Sequence, residues 1–137
     1  MGQQQLLLII LGVIVVGIAV VVGITMFQDN AISANRDAVT NDLVNLGARA
    51  QQFYRRPHSL GGGENSFTLL GTDMTKLTNG PGATAASWTN PNGTYSIQTG
   101  GDQSIVLDGK GTEKIGGVAV EVTCSVYPDS LTTVVVK

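Results

Sequence analysis

The feature that most constrains this chain is an apolar run, Leu6 to Phe27, in which only Gly12, Gly17, Gly23 and Thr25 interrupt a series built otherwise from Leu, Ile, Val, Ala, Met and Phe. About 20 apolar residues suffice to cross the hydrocarbon layer of a bilayer, so the run is long enough to span one. Its flanks are uncharged as well, with no ionisable side chain from Met1 to Gln28. A secretory signal peptide carries a basic n-region, a short apolar core and a small-residue cleavage site. Here the first residues bear no side-chain charge and the apolar run is too long, so the segment is expected to be retained. The nearest basic residue, Arg36, lies beyond the C-terminal end of the run, and loop charge therefore does not orient the segment in a membrane.

Helical patterning continues past the run. Ile32, Val39, Leu43, Leu46, Ala50 and Phe53 recur at steps of seven, four, three, four and three, which places them on one stripe of a helix. Asn35, Arg36, Asp37, Asn41, Asp42, Arg49 and Gln52 lie between them, facing water or a neighbour. The helix should stop before Pro57, because proline disfavours the α conformation in the residue preceding it, and Gly61-Gly62-Gly63 then reads as a flexible connection. A helix running from near Met1 to Arg56 would be roughly 80 Å long at 1.5 Å per residue. The remaining chain can form one small domain, too small to bury such a rod. The upper half of the helix must lie exposed or pack on other chains.

Residues 57–92 read as irregular, punctuated by Asn79 to Gly82 and Asn90 to Gly93, with a short helix around Asp73 to Leu77. The period then becomes two. Tyr95 and Ile97 alternate with Ser96 and Gln98, and Ile105 and Leu107 with Ser104 and Asp108. Val118, Val120, Val122, Cys124 and Val126 form the clearest half-buried strand, and Leu131 to Val136 is strand-like. Turn signals at Gly100-Gly101, Asp108-Gly109, Gly116-Gly117 and Pro128-Asp129 separate these runs, and connections this short make neighbouring strands antiparallel. The expected fold class is α+β: a long N-terminal helix, apolar in its first half and amphipathic in its second, packed on a four-stranded antiparallel meander. The segments are 1–28, a transmembrane or filament-core helix; 29–56, its amphipathic continuation; 57–92, an irregular connection; and 93–137, the sheet. The sheet needs a cover for its apolar face, so Leu43, Leu46 and Phe53 should pack on Val120, Val122 and Cys124.

The polar residues exclude several function classes. Net charge is −2, only 13% of residues are charged, and the eight basic residues are scattered, so no stripe tracks a phosphate backbone and no nucleic-acid partner is expected. Cys124 is the single cysteine and sits on the apolar parity of its strand, as a buried, inert thiol would. His58, the single histidine, has no second imidazole or partnered cysteine for zinc or a triad. Asp108-Gly109-Lys110-Gly111 reads as a hairpin turn rather than a calcium loop, and Glu113 and Glu121 as solvated. Gly61-Gly62-Gly63 lacks the lysine and helix of a phosphate cradle. Asn92-Gly93-Thr94 fits a glycosylation acceptor, but Asn-Gly is also the commonest hairpin turn, and the turn is favoured. No cofactor is called for, and nothing in the chain marks an enzyme.

In layout the whole chain resembles the type IV pilins and the related pseudopilins, whose specific motif lies near the N-terminus, here Met1-Gly2-Gln3-Gln4-Gln5-Leu6-Leu7-Leu8-Ile9-Ile10-Leu11-Gly12. The resemblance implies a leader removed by a prepilin peptidase and a processed, methylated first residue, which is Met1 if the chain is mature. In a second register Gln3 comes first and Leu7 takes the place of the family's glutamate. In the first register Gln5 stands at that place. A glutamine accepts a hydrogen bond from a neighbouring amine without neutralising it, so Gln3, Gln4 and Gln5 would form an uncharged polar cap. The chain also departs from the family in lacking a proline in the apolar run and a C-terminal disulfide. Family filaments commonly melt part of the apolar helix. Gly12, Gly17 and Gly23 among β-branched valines allow local unwinding here, or else close helix packing.

The expected function is thus that of a major pilin-like structural subunit, held in the inner membrane as a monomer and on the cell surface as a filament. Its partners would be itself, the membrane, the peptidase and the assembly machinery. Leu6, Leu7, Ile10, Val13, Val16, Val20, Ile24 and Phe27 would form the helical core of the filament, and Phe27, Phe53, Tyr54 and Tyr95 are candidates for aromatic contacts between subunits. A pseudopilin of a secretion system, or a single-pass anchor presenting a β-domain as a binding module, are the alternatives.

Overall fold

The computed structural model describes residues 2–137, so Met1, the expected processing residue, lies outside the described residues. One helix, α1 (Gly2–Arg55), runs for 54 residues and passes Gly12, Gly17 and Gly23 without a break. At 1.5 Å per residue it is about 80 Å long. It ends at Arg55, before Pro57, and carbonyls in and just after its last turn find partners. The chain turns back so that the amides of Gly63, Asn65 and Glu64 donate to the carbonyls of Phe53 (2.9 Å), Tyr54 (2.7 Å) and Arg56 (3.0 Å). The glycine-rich segment expected to be a flexible connection is therefore a hydrogen-bonded cap on the helix.

The strands are β1 (Trp88–Asn90), β2 (Gly93–Gly100), β3 (Ile105–Ile115), β4 (Val118–Val126) and β5 (Leu131–Val135), all antiparallel and ordered β1-β2-β3-β4-β5. The sheet has five strands, not the four expected, the addition being β1 in the stretch assigned to irregular structure. Trp88, Thr89 and Asn90 pair with Tyr95, Thr94 and Gly93. The turn between β1 and β2 is built on Pro91-Asn92, and the Asn90 carboxamide oxygen accepts the amides of Asn92 (2.9 Å) and Gly93 (3.0 Å). The expected turn at Asp108–Gly111 is a second correction, since β3 continues through it, with an irregularity in its pairing to β4 between Lys110 and Lys114, and turns only at Gly116-Gly117. Gly109 serves a different end there. A Cβ on it would lie 2.8 Å from Val39 Cγ1 and 3.0 Å from the Tyr95 ring. The missing side chain is what lets α1 and Tyr95 close over the sheet.

The core lies between the last four or so turns of the helix stripe and the inner face of the sheet. Val39, Leu43, Leu46, Ala50 and Phe53 meet Tyr95, Ile97, Ile105, Leu107, Val120, Val122, Cys124 and Val126, all buried, with Ile32 packed at the margin. Phe67, Leu70, Met74 and Leu77, from the connection between helix and sheet, complete it. The expected short helix there is a single 3-10 turn, Met74–Lys76, capped by Asp73, whose carboxylate accepts the Thr75 amide at 3.0 Å.

Candidate assembly surface

All of this packing uses only the later half of α1. In its first half, seventeen large apolar side chains between Leu6 and Phe27 are exposed, from 50% at Val22 to 78% at Phe27. The most apolar 18-residue window of the helix has a mean hydropathy of 3.3 and none of it is buried, so the helix is long and apolar enough to cross a membrane. Burying one such side chain fully is worth about 1.5–3 kcal/mol, which puts the cost of leaving the rod in water on the order of tens of kcal/mol. The side chains named from the sequence as a filament core, Leu6, Leu7, Ile10, Val13, Val16, Val20, Ile24 and Phe27, all belong to this exposed set.

Apolar side chains cover the rod on every side. A helix that lies flat on a membrane needs a polar face, which this segment does not have, whereas a helix apolar all round is one to be surrounded. Its single hydroxyl, Thr25 Oγ1, donates to the Val22 carbonyl at 2.8 Å and so is satisfied within the helix. Gln3, Gln4 and Gln5 occupy the first turn at consecutive positions, about 100° apart, and ring the rod with amides rather than forming a stripe. A Cβ at Gly12, Gly17 or Gly23 would meet nothing within 4 Å. Of the four aromatic candidates for intersubunit contact, only Phe27 is free. Phe53 and Tyr95 are buried, and Tyr54 stacks on Phe67 with centroids 4.8 Å apart.

The rod is joined to the sheet by polar ties along α1 that sequence patterning did not reveal. Asn35 donates to the Asn92 carbonyl at 2.9 Å and accepts the Glu113 amide at 3.2 Å. Asp42, read from sequence as facing water or a neighbour, is a clasp. Its Oδ2 accepts the Tyr95 hydroxyl at 2.6 Å and the side-chain amides of Asn90 at 2.8 Å and Asn92 at 3.0 Å. Partial burial pulls the Asp42 carboxyl upward, but the Tyr95, Asn90 and Asn92 bonds together outweigh it and hold the group below its ordinary value. Burial, reinforced by the Asp42 carboxylate, pushes the Tyr95 hydroxyl far up. Gln51 Nε2 donates to the carbonyls of Tyr127 (3.0 Å) and Ser130 (3.1 Å), fixing the β4–β5 loop. These partners lie 48 to 79 residues apart in sequence, beyond the reach of any local pattern.

Cys124 is buried against α1, and desolvation raises its thiol to about 11, so it is unreactive at neutral pH. His58 is exposed on the 3-10 turn after Pro57, with Nδ1 3.4 Å from the Gly62 carbonyl. A polar cleft of about 530 Å³ beside α1, lined by Asp42, Arg49, Gln52 and Trp88, holds no pairing of nucleophile and base. Among the described residues no group of three or more His, Cys, Asp or Glu is placed to hold a metal ion. No known family model, curated protein or solved structure matches the chain.

Proposed function

We propose that the chain is the structural subunit of an extracellular filament of the type IV pilin kind, in which the Leu6–Phe27 rods of many copies bundle into a core and the sheet domains form the outer wall. The reading rests on one observation: half of a 54-residue helix is apolar on all sides and has no partner among the described residues of its own chain. Before assembly the bilayer surrounds that half. Lipid is about as apolar as leucine, so transfer to the filament gains little from hydrophobicity. It draws on close packing at Gly12, Gly17 and Gly23 and on the amides of Gln3, Gln4 and Gln5. The layout of a long apolar helix carrying an antiparallel sheet is compatible with that family.

Val16→Asp tests the proposal. Val16 is 62% exposed, and 23 positions, about 35 Å of helix, separate it from Val39, the first fully buried residue of the stripe. The aspartate costs about 2.5–3.5 kcal/mol at the centre of an apolar helix and leaves the sheet domain untouched. Material sheared from cells should contain filaments for the wild type and none for the variant, with the folded domain retained. Normal filaments from Val16→Asp refute the helical core. A discrete small species without a ladder on native electrophoresis of the wild type would assign the chain to the single-pass anchors. Filaments confined to the periplasm would make it a pseudopilin.

A further inference from the structure

The β3–β4 hairpin carries a second apolar feature that the core does not absorb. Along β4 the side chains facing α1 are Val118, Val120, Val122, Cys124 and Val126, of which all but Val118 are buried. Val118 is 43% exposed and its cross-strand partner Ile115 39% exposed. Between them Gly116 and Gly117 make the turn with φ of +57° and +85°, the left-handed pair that a two-residue hairpin requires. A Cβ at either glycine would meet nothing within 4 Å, so the tip stands clear of the rest of the chain.

The direction of the hairpin gives this pair a meaning. Gly109 lies against Val39, the Glu113 amide donates to Asn35, and Thr112, Glu113 and Lys114 line one cavity with Gln28 and Ile32. As β3 advances, its contacts therefore step down α1 toward the N-terminus. From Lys114 to the turn the strand extends about 8 Å further at 3.3 Å per residue, equal to about five helical residues at 1.5 Å each. On a course along the helix axis, that length carries Ile115, Gly116, Gly117 and Val118 to the level of Gly23 to Phe27, where the apolar run of α1 ends. A rod inserted up to Phe27 places the tip at the bilayer boundary.

We propose that this tip is a second membrane contact: in the unassembled subunit Ile115 and Val118 enter the interfacial layer of the bilayer beside α1 and seat the sheet domain on the membrane at a fixed angle. Glu113 and Lys114 follow one another at the neck of the hairpin with opposite charge, so the contact is apolar in origin and insensitive to added salt. A docked tip also gives the domain a contact that must be released when the rod leaves the membrane.

The test places a tryptophan at the tip of the full-length chain in vesicles of phosphatidylcholine that carry no bromine, bromine on the acyl chains near the glycerol end to read the tip, or bromine near the methyl end to read the rod. Trp88→Phe removes the native indole. Ile115→Trp, and Val118→Trp as an independent variant, report the tip, while Val16→Trp reports the rod. The proposal expects the tip reporters to emit at shorter wavelength and to be quenched by bromolipid, unchanged by salt. A quenched Val16→Trp with both tip reporters emitting as in water overturns the tip contact alone. Failure of Val16→Trp to be quenched overturns the membrane anchor and the tip contact with it. Tip emission that shifts with protein density and not with bromine assigns the patch to a second copy and also overturns the proposal.

Discussion

The Asp42 clasp makes the attachment of the sheet to the rod measurable. Asp42→Ala leaves the hydroxyl of Tyr95, a residue with 0% exposure, without an acceptor, and frees the amides of Asn90 and Asn92. An orphaned buried hydroxyl costs about 1–3 kcal/mol, and loss of the two half-exposed amide bonds adds about 1 kcal/mol, for a total of about 2–4 kcal/mol. At about 4–8 °C per kcal/mol for a domain of this size, Tm should fall by about 8–32 °C in thermal unfolding of the full chain in detergent. Tyr95→Phe removes the donor instead, so the double variant should recover about 1–2 kcal/mol relative to the sum of the singles. The pH dependence has a definite sign. The folded-state value of Asp42 is lowered, so its contribution is complete above the unfolded value near 4 and is lost as pH falls through the folded value. The Asp42→Ala deficit should therefore shrink in acid. A deficit under about 0.5 kcal/mol, or no coupling to Tyr95→Phe, would refute the clasp as the element holding β1 and β2 to the helix.

Asp108 behaves in the opposite sense. Its carboxyl is 3% exposed, Oδ1 has no partner, and burial, with the nearby Glu121 charge adding to it, raises its pKa. The folded state then binds the proton more tightly than the unfolded state, so Asp108 costs stability at neutral pH and the cost fades as pH falls; Asp108→Asn should gain about 1–2 kcal/mol at pH 7 in denaturant unfolding and less in acid. Gly109→Ala should lose about 1–3 kcal/mol by overpacking, because both neighbours of the new methyl, Val39 and Tyr95, are fully buried, and Val39→Ala in the same chain should restore part of that loss.

Most of this architecture is written in the periodicity of the sequence. The helix stripe and the alternation of β4 are patterns of 3.6 and 2, and each names its own buried face. The expected break at Asp108–Gly111 failed because glycine has two uses, and spacing alone does not separate a turn from a close approach. There the approach is that of Val39 and the Tyr95 ring to Gly109. At β1 the sequence carries a signal, since the expected hairpin turn at Asn92-Gly93 requires a strand on either side; the structure sets that turn one residue earlier, at Pro91-Asn92. The ties through Asn35, Asp42 and Gln51 had no local signature, because each joins α1 to a segment far along the chain.

The circumference of the rod also decides how many neighbours it needs. Two helices that pair in a dimer bury one stripe each, and the rest of each helix can be polar. Here Ile14, Val15 and Val16, set about 100° apart around the axis, are exposed by 53, 56 and 62%. Outside the bilayer a dimer would leave two of these three faces in water, whereas a bundle in which each rod has neighbours on all sides leaves none. A photo-crosslinking residue at each position in turn should therefore give chain-to-chain products from all three in filaments, and lipid adducts from all three in membranes at low protein density. Crosslinks between chains from one position only would show a single seam, and the rod would then be the dimerisation helix of a membrane protein rather than the core of a fibre.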